Sequence, residues 1–132
     1  MDIQEKSYVR YVLCNFLRQI GYNIKTSLCT RKCSLLNIEL STEIDIIAEQ
    51  KGKEVIFEVK IIRGPMDVTK GFNKVFLYKL CGFNEVCLLH VCYSNKLLSS
   101  IEIFRKIANI LRENSIKYIL VDKNAKPKII SV

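Results

Sequence analysis

No apolar run in this chain approaches the roughly eighteen residues that a membrane-crossing helix needs. The start of the chain also lacks an apolar leader core, because Asp2, Glu5, Lys6 and Arg10 fall within its opening stretch. That pattern argues against a secretory signal peptide, and the expectation is an intracellular, cytoplasmic protein with no membrane partner. Repeats, low-complexity tracts and long linkers are missing too. Residues 1–132 therefore read as a single domain, long enough to bury a core. With 49% apolar and 26% charged residues, a folded globule is expected rather than a disordered chain.

Acidic residues are in short supply, at 13 against 21 Lys and Arg, which leaves a net charge of +8. Such an excess favours a polyanionic partner, through phosphate neutralisation and counterion release; a merely soluble basic protein has the same balance. Repeated Cys-x-x-Cys knuckles are absent as well. The six cysteines are Cys14, Cys29, Cys33, Cys81, Cys87 and Cys92. Cys29 and Cys33 stand four apart, and Cys87, His90 and Cys92 form a second group. Buried thiols are the leading reading, disulfides the next and zinc the last. Cys87 sits in an apolar stretch where a thiol packs as a small hydrophobe, and a reducing compartment is expected.

Residues 3–20 place Val9, Val12, Leu13, Phe16, Leu17 and Ile20 on one helical stripe, stopped at Gly21. A strand follows at 22–28, then an irregular segment through residues 30–34. Strands at 38–48 and 55–62 flank a polar, Gly-containing turn and read as a hairpin. Gly64-Pro65 ends it, and the spacing predicts a helix over 67–80 ending at Gly82. Residues 85–93 form a mostly apolar strand of the kind covered on both faces. A helix at 97–113, with Ile101, Phe104, Ala108 and Leu111 inward, precedes a buried strand at 117–122. The last residues, 123–132, start basic and end in a short apolar run that suits an edge strand. The predicted order is αβββαβαβ, an α/β sandwich around a mixed central sheet flanked by helices.

Charges inside apolar strands are costly unless paired or bound to a metal. Alternation sets Glu58 and Lys60 on one strand face, with Phe57, Val59 and Ile61 on the other. Asp45, near the end of the preceding strand, reaches the same spot. Two carboxylates and an ammonium there suggest a divalent-cation site, against the plainer reading of a Glu58–Lys60 salt bridge. Asp45, Glu58 and the Val59 carbonyl are hard oxygen ligands suited to Mg²⁺ or Mn²⁺, with Lys60 beside them to position water. Glu5 lies on the inward helix stripe, either as a first-turn carboxylate favoured by the helix dipole or as a third acid of the site.

This order and these residues resemble the PD-(D/E)XK nuclease superfamily, which includes many restriction enzymes and archaeal Holliday-junction resolvases. In that family an acid ends one strand and an acid-x-Lys motif lies on the next, here Asp45 and Glu58-Val59-Lys60. A first-helix glutamate often completes the site, and Glu5 is the candidate. Ile44 stands where the motif has proline. The stretch from Lys70 to Leu80 is similar to the KG-x-x-Q-x-x-x-Y-K pattern of exonuclease-like members, with Lys74 in place of the glutamine. Lys70, Lys74 and Tyr78 fall on one helical stripe and are candidate nucleic-acid contacts; a solvated helix face is the alternative.

The resemblance implies a restriction-endonuclease-like three-layer sandwich. It also implies a Mg²⁺- or Mn²⁺-dependent nuclease acting on nucleic acid, DNA before RNA, as a homodimer where both strands of a duplex are cut. A non-catalytic nucleic-acid-binding or assembly protein keeping the nuclease fold is the alternative. No sequence feature ties the tail lysines, Lys123 and Lys126, to the site.

Overall fold

The chain reverses tightly at Lys51 and Gly52, which both take left-handed backbone angles (φ 53° and 76°). A type I′ two-residue hairpin loop needs that combination, and its twist matches that of the strands it joins. The loop pairs β2 (Ile38–Gln50) antiparallel with β3 (Lys53–Ile62), from Gln50–Lys53 as far as Ile46–Phe57. The structure is a computed structural model that describes residues 2–35, 37–123 and 127–132. Lys126 lies outside the described residues.

Ahead of the hairpin, α1 (Ile3–Ser7), a π-helical segment (Tyr8–Leu13) and α2 (Cys14–Gln19) lead into β1 (Asn23–Leu35). After it come a 3₁₀ turn (Pro65–Asp67), α3 (Phe72–Leu80), β4 (Glu85–Cys92), α4 (Asn95–Leu98) and α5 (Glu102–Glu113). The chain closes with β5 (Lys117–Asp122) and β6 (Lys128–Ile130). The sheet runs β1-β2-β3-β4-β5-β6, antiparallel at each end and parallel through β3, β4 and β5. Parallel neighbours need crossover connections, which α3 and the α4–α5 pair supply.

Alternation along β3 divides the core as expected. Val55, Phe57, Val59 and Ile61 pack with Val9, Leu13 and Leu17 of the N-terminal helical stretch. Ile56 and Ile62 pack on the other face, with Val75, Phe104 and Leu111. Each such buried side chain contributes about 1.5–3 kcal/mol, so the mixed sheet is held from both sides by helices. Against that apolar background, Asp45, Glu58, His90 and Asp122 stand out as buried polar residues, a placement rare without partners.

Several elements differ from expectation. Val12 is 37% exposed although its spacing put it on the inward stripe; the π segment from Tyr8 to Leu13 alters the angle between successive side chains there. The 30–34 stretch is strand, and β1 and β2 form a long ribbon braced by Lys25–Glu49 and Lys32–Glu39 pairs. The helix expected over 67–80 begins only at Phe72, after Gly71 at φ 88°. The 97–113 helix is divided, and Ser99 Oγ donates to the Lys96 carbonyl at 2.6 Å where α4 ends. A final strand, β6, joins the sheet edge.

The leading thiol reading fails for two cysteines. Cys33 of β1 and Cys81 at the end of α3 form a disulfide across 48 residues, with Cα atoms 5.6 Å apart. Closing a loop of that length restricts the unfolded chain by about 4 kcal/mol in the chain-entropy picture. Cys14, Cys29, Cys87 and Cys92 are free thiols. Strand alternation separates the Cys87–His90–Cys92 group, with Cys87 in one core cluster and Cys92 in the other. No helix among the described residues is long and apolar enough to cross a membrane.

Candidate functional site

The site forms where β2 parts from β3. Their ladder ends at Ile46–Phe57; carried one step further, the register sets Asp45 directly across from Glu58. Ile44 and Ile46 are two apart yet pack in opposite core clusters, so β2 rolls over at Asp45. In place of the next rung, the Val59 N–H donates to Asp45 Oδ2 at 2.7 Å. A strand residue at a hydrogen-bonded position directs its N–H and C=O to the same neighbour, so the Val59 carbonyl is turned towards the same gap.

Both carboxylates are buried, Asp45 at 5% and Glu58 at 1% exposure. Tyr78 O–H lies 3.1 Å from Glu58 Oε2 and 3.0 Å from the Glu43 carbonyl. Lys60 Nζ stands 3.4 Å from Glu58 Oε1. Burial, then repulsion from Asp45, pushes the Glu58 carboxyl up to about 7, against the opposing pull of Lys74, Lys60 and the Tyr78 hydrogen bond. Burial also raises Asp45, opposed by the Val59 N–H and by Lys60 and Lys74. Two adjacent acids that resist ionising together keep a proton on one of them unless a cation neutralises the pair. Their oxygens and the Val59 carbonyl fit a hard divalent ion, Mg²⁺ or Mn²⁺.

The turn before α3 is pressed onto this cluster. A Cβ on Gly71 would lie 2.6 Å from Leu88 Cδ1 and 3.2 Å from Lys60 Cγ, and at φ 88° any side chain there is strained. His90 holds the same turn from beneath. The Lys70 carbonyl can only accept, so His90 Nε2–H donates to it at 2.9 Å, and Nδ1 accepts from Tyr118 O–H at 2.9 Å. Burial drives the His90 pKa down to about 4, which keeps the ring neutral.

The predicted residues separate into groups. Asp45, Glu58, Lys60 and the Val59 backbone converge. Tyr78 does not face outward as a backbone contact: it is fully buried and holds Glu58. Lys74, half-buried, donates to the Glu43 carbonyl at 3.1 Å. Lys70 lies outside the helix, on the turn, so the expected three-residue helical stripe is not formed. Glu5 packs with the N-terminal layer and pairs with Arg63 at 3.4 Å. It lines a cavity of about 350 Å³ together with Tyr8, Lys60, Arg63 and Lys70. Among the described residues, no group of three His, Cys, Asp or Glu side chains is placed to share one ion.

Arg63 and Tyr93 carry no motif in the sequence, and Lys123 has no sequence link to the site. The Arg63 guanidinium lies 5.1 Å and Lys123 Nζ 4.2 Å from the Tyr93 ring centroid. The tail is thus tied to the site's surroundings after all. Each of these residues directly follows an apolar strand, which is the one signal that marks them in sequence.

No family model matches this sequence, and no curated protein matches it. Solved structures of similar fold include a protein of unknown function, AF1548, at 18% identity and a TM-score of 0.51; the match covers 80% of this chain and 53% of that one. They also include Pyrococcus furiosus SfsA in complex with Ca²⁺, at 13% identity and a TM-score of 0.46, covering 97% of this chain and 61% of that one. The chain thus spans between half and two thirds of the length of these structures. At 18% identity the likeness to AF1548 is one of fold alone, consistent with the α/β domain seen here, a mixed sheet flanked by helices.

Proposed function

We propose that the protein is a metal-dependent nuclease of the PD-(D/E)XK kind, with the restriction-endonuclease-like arrangement of that family, hydrolysing phosphodiester bonds in DNA. The observation that carries this reading is the buried pair Asp45 and Glu58 at the parting of β2 and β3, with Lys60 Nζ 3.4 Å from Glu58. Asp45, Glu58 and the Val59 carbonyl are the groups that would hold Mg²⁺ or Mn²⁺. When bound, such an ion supplies Lewis acidity at the phosphate and makes water a better nucleophile at neutral pH.

The chain's own residues do the rest. Lys60 orients the attacking water and stabilises the negative charge that builds up on the phosphoryl oxygens. Tyr78 fixes the rotamer of Glu58 through its hydroxyl, and the Val59 N–H does the same for Asp45. Such outer contacts aim the ligating oxygens. Lys70 and Lys74 add positive charge where the strand approaches, and the net charge of +8 draws in the polyanion. A duplex cut on both strands requires two copies.

The experiment is incubation with junction, nicked, linear and single-stranded DNA, with and without Mg²⁺ or Mn²⁺. Metal-dependent cleavage of at least one substrate supports the proposal. Binding with no cleavage under any metal condition would assign the fold to a non-catalytic nucleic-acid-binding protein instead.

A further inference from the structure

The three central parallel strands end in one row. Arg63 follows β3, Tyr93 follows β4 and Lys123 follows β5. The backbone continues the ladder through them, since the Tyr93 N–H donates to the Ile62 carbonyl at 2.9 Å and the Lys123 N–H to the Cys92 carbonyl at 3.1 Å. All three positions share the parity of Val59, Ile61, Val91 and Val121, which pack on the face of the N-terminal helix. The two cations lie over one ring, at 5.1 Å and 4.2 Å from its centroid, and so are no more than about 9 Å apart, the sum of those distances.

The row connects with the acidic pair. Arg63 is three residues beyond Lys60, just past the end of β3 and on the opposite strand face, roughly 10 Å away at the usual rise. The cavity of about 350 Å³ lies between them, lined by Glu5 and Tyr8 from the N-terminal helical stretch and by Lys70 and Gly71 from the turn before α3. It opens beside β3 beyond the point where the β2 ladder ends. Its walls carry Lys60, Lys70 and Arg63 beside Glu5, with Lys60 also paired to Glu58 at 3.4 Å and Lys70 to Asp67 at 3.1 Å. Among the described residues Lys123 makes no ion pair, and Arg63 reaches Glu5 only at 3.4 Å.

From this we infer that Arg63 and Lys123, held apart by the Tyr93 ring, form a second contact for the phosphodiester backbone of a nucleic-acid strand, one that leads from the acidic pair through the cavity to the ends of the parallel strands. The inference rests on the nuclease reading for the direction of the strand, but its own content is binding. Tyr93 acts as a spacer that fixes both cations, and the row reads internal phosphates rather than a chain end.

Fluorescence anisotropy with labelled duplex and single-stranded DNA, in EDTA and across a salt series, tests it. Arg63→Gln with Lys123→Gln is expected to flatten the slope of log affinity against log salt by about 1.8 for duplex, the value for two phosphate contacts. Lys51→Gln with Lys53→Gln, at the hairpin end of β3 opposite the row, is the control for simple loss of charge. Tyr93→Phe keeps the ring and binds as wild type, whereas Tyr93→Leu lowers the affinity. Oligonucleotides with and without a terminal phosphate bind alike. Equal losses from both lysine-containing pairs, or binding that demands a terminal phosphate, overturn the assignment. If the wild type cleaves nothing with Mg²⁺ yet the row's effect on the slope persists, the nuclease reading falls and the row stands. If cleavage is intact and the double substitution leaves the slope unchanged, the row falls and the nuclease reading stands.

Discussion

Asp45 Oδ2 accepts the Val59 N–H at 2.7 Å, in the place where the next backbone rung between β2 and β3 would lie. A side chain thereby substitutes for a strand partner. The exchange frees the two strands to part, sets Asp45 against Glu58, and holds one buried carboxylate in a fixed rotamer.

The acidic pair makes the metal-free protein sensitive to pH. Glu58 titrates near 7 in the folded state against 4.5 for an ordinary glutamate, so the fold retains a proton that the unfolded chain has released. Stability is therefore full below about 4.5 and falls as pH rises towards 7, by at most about 3 kcal/mol. Denaturant melts in EDTA should show lower stability at pH 8 than at pH 5. Mg²⁺ or Mn²⁺ should restore it at pH 8, and Glu58→Gln should flatten the dependence. A wild-type profile as flat as that of the variant would contradict the coupling.

Tyr78→Phe keeps the buried ring and removes the hydroxyl that steadies Glu58. Loss of such an outer contact typically costs about 10- to 100-fold in metal affinity or activity, with about 1 kcal/mol of stability. Mn²⁺ titration beside cleavage rates checks this. Unchanged values of both would place the hydroxyl outside the site.

Asp45, Glu58 and Lys60 are legible in the sequence because charge inside an apolar strand is conspicuous: Glu58 and Lys60 stand two apart within a run of Val, Ile and Phe, and the Gly52 turn points Asp45 at them. Tyr78 and Lys74 are legible as positions but not in orientation. Helical spacing relates them to each other, and only the packing of α3 on β2 shows that they turn inward to Glu43 and Glu58. Spacing alone misplaces Lys70, because the left-handed Gly71 caps the start of the helix and leaves Lys70 on the turn before it. Arg63, Tyr93 and Lys123 come together only through the order β3-β4-β5, which no local pattern encodes. The Cys33–Cys81 bridge is hidden for the same reason, since the ribbon carrying Cys33 is polar on its open faces and reads as a loop.

Gly71→Ala should be more damaging than its size suggests. The residue has φ 88°, and the new methyl would meet Leu88 and Lys60. A loss of about 1–3 kcal/mol is expected, with cleavage reduced further because Lys60 is displaced. Urea unfolding and cleavage rates at a temperature where the variant is folded separate the two effects. A variant of wild-type stability would mean that the turn does not press on β3.

Glu5→Gln relieves Arg63 of its carboxylate partner. DNA binding in EDTA should tighten, while cleavage slows if Glu5 supports the metal or its water. Anisotropy and single-turnover rates on one substrate report both. Weaker binding by this variant would show that Glu5 orders Arg63 rather than competing for it.

The most direct measurement is cleavage by purified wild type, Asp45→Asn, Glu58→Gln and Lys60→Ala under Mg²⁺, with Mn²⁺ affinity measured by calorimetry on the same samples. Wild type should cleave and bind Mn²⁺. Asp45→Asn and Glu58→Gln should lose both while staying folded, and Lys60→Ala should lose cleavage but keep most of the affinity. Near-wild-type cleavage by either carboxylate variant would contradict the account.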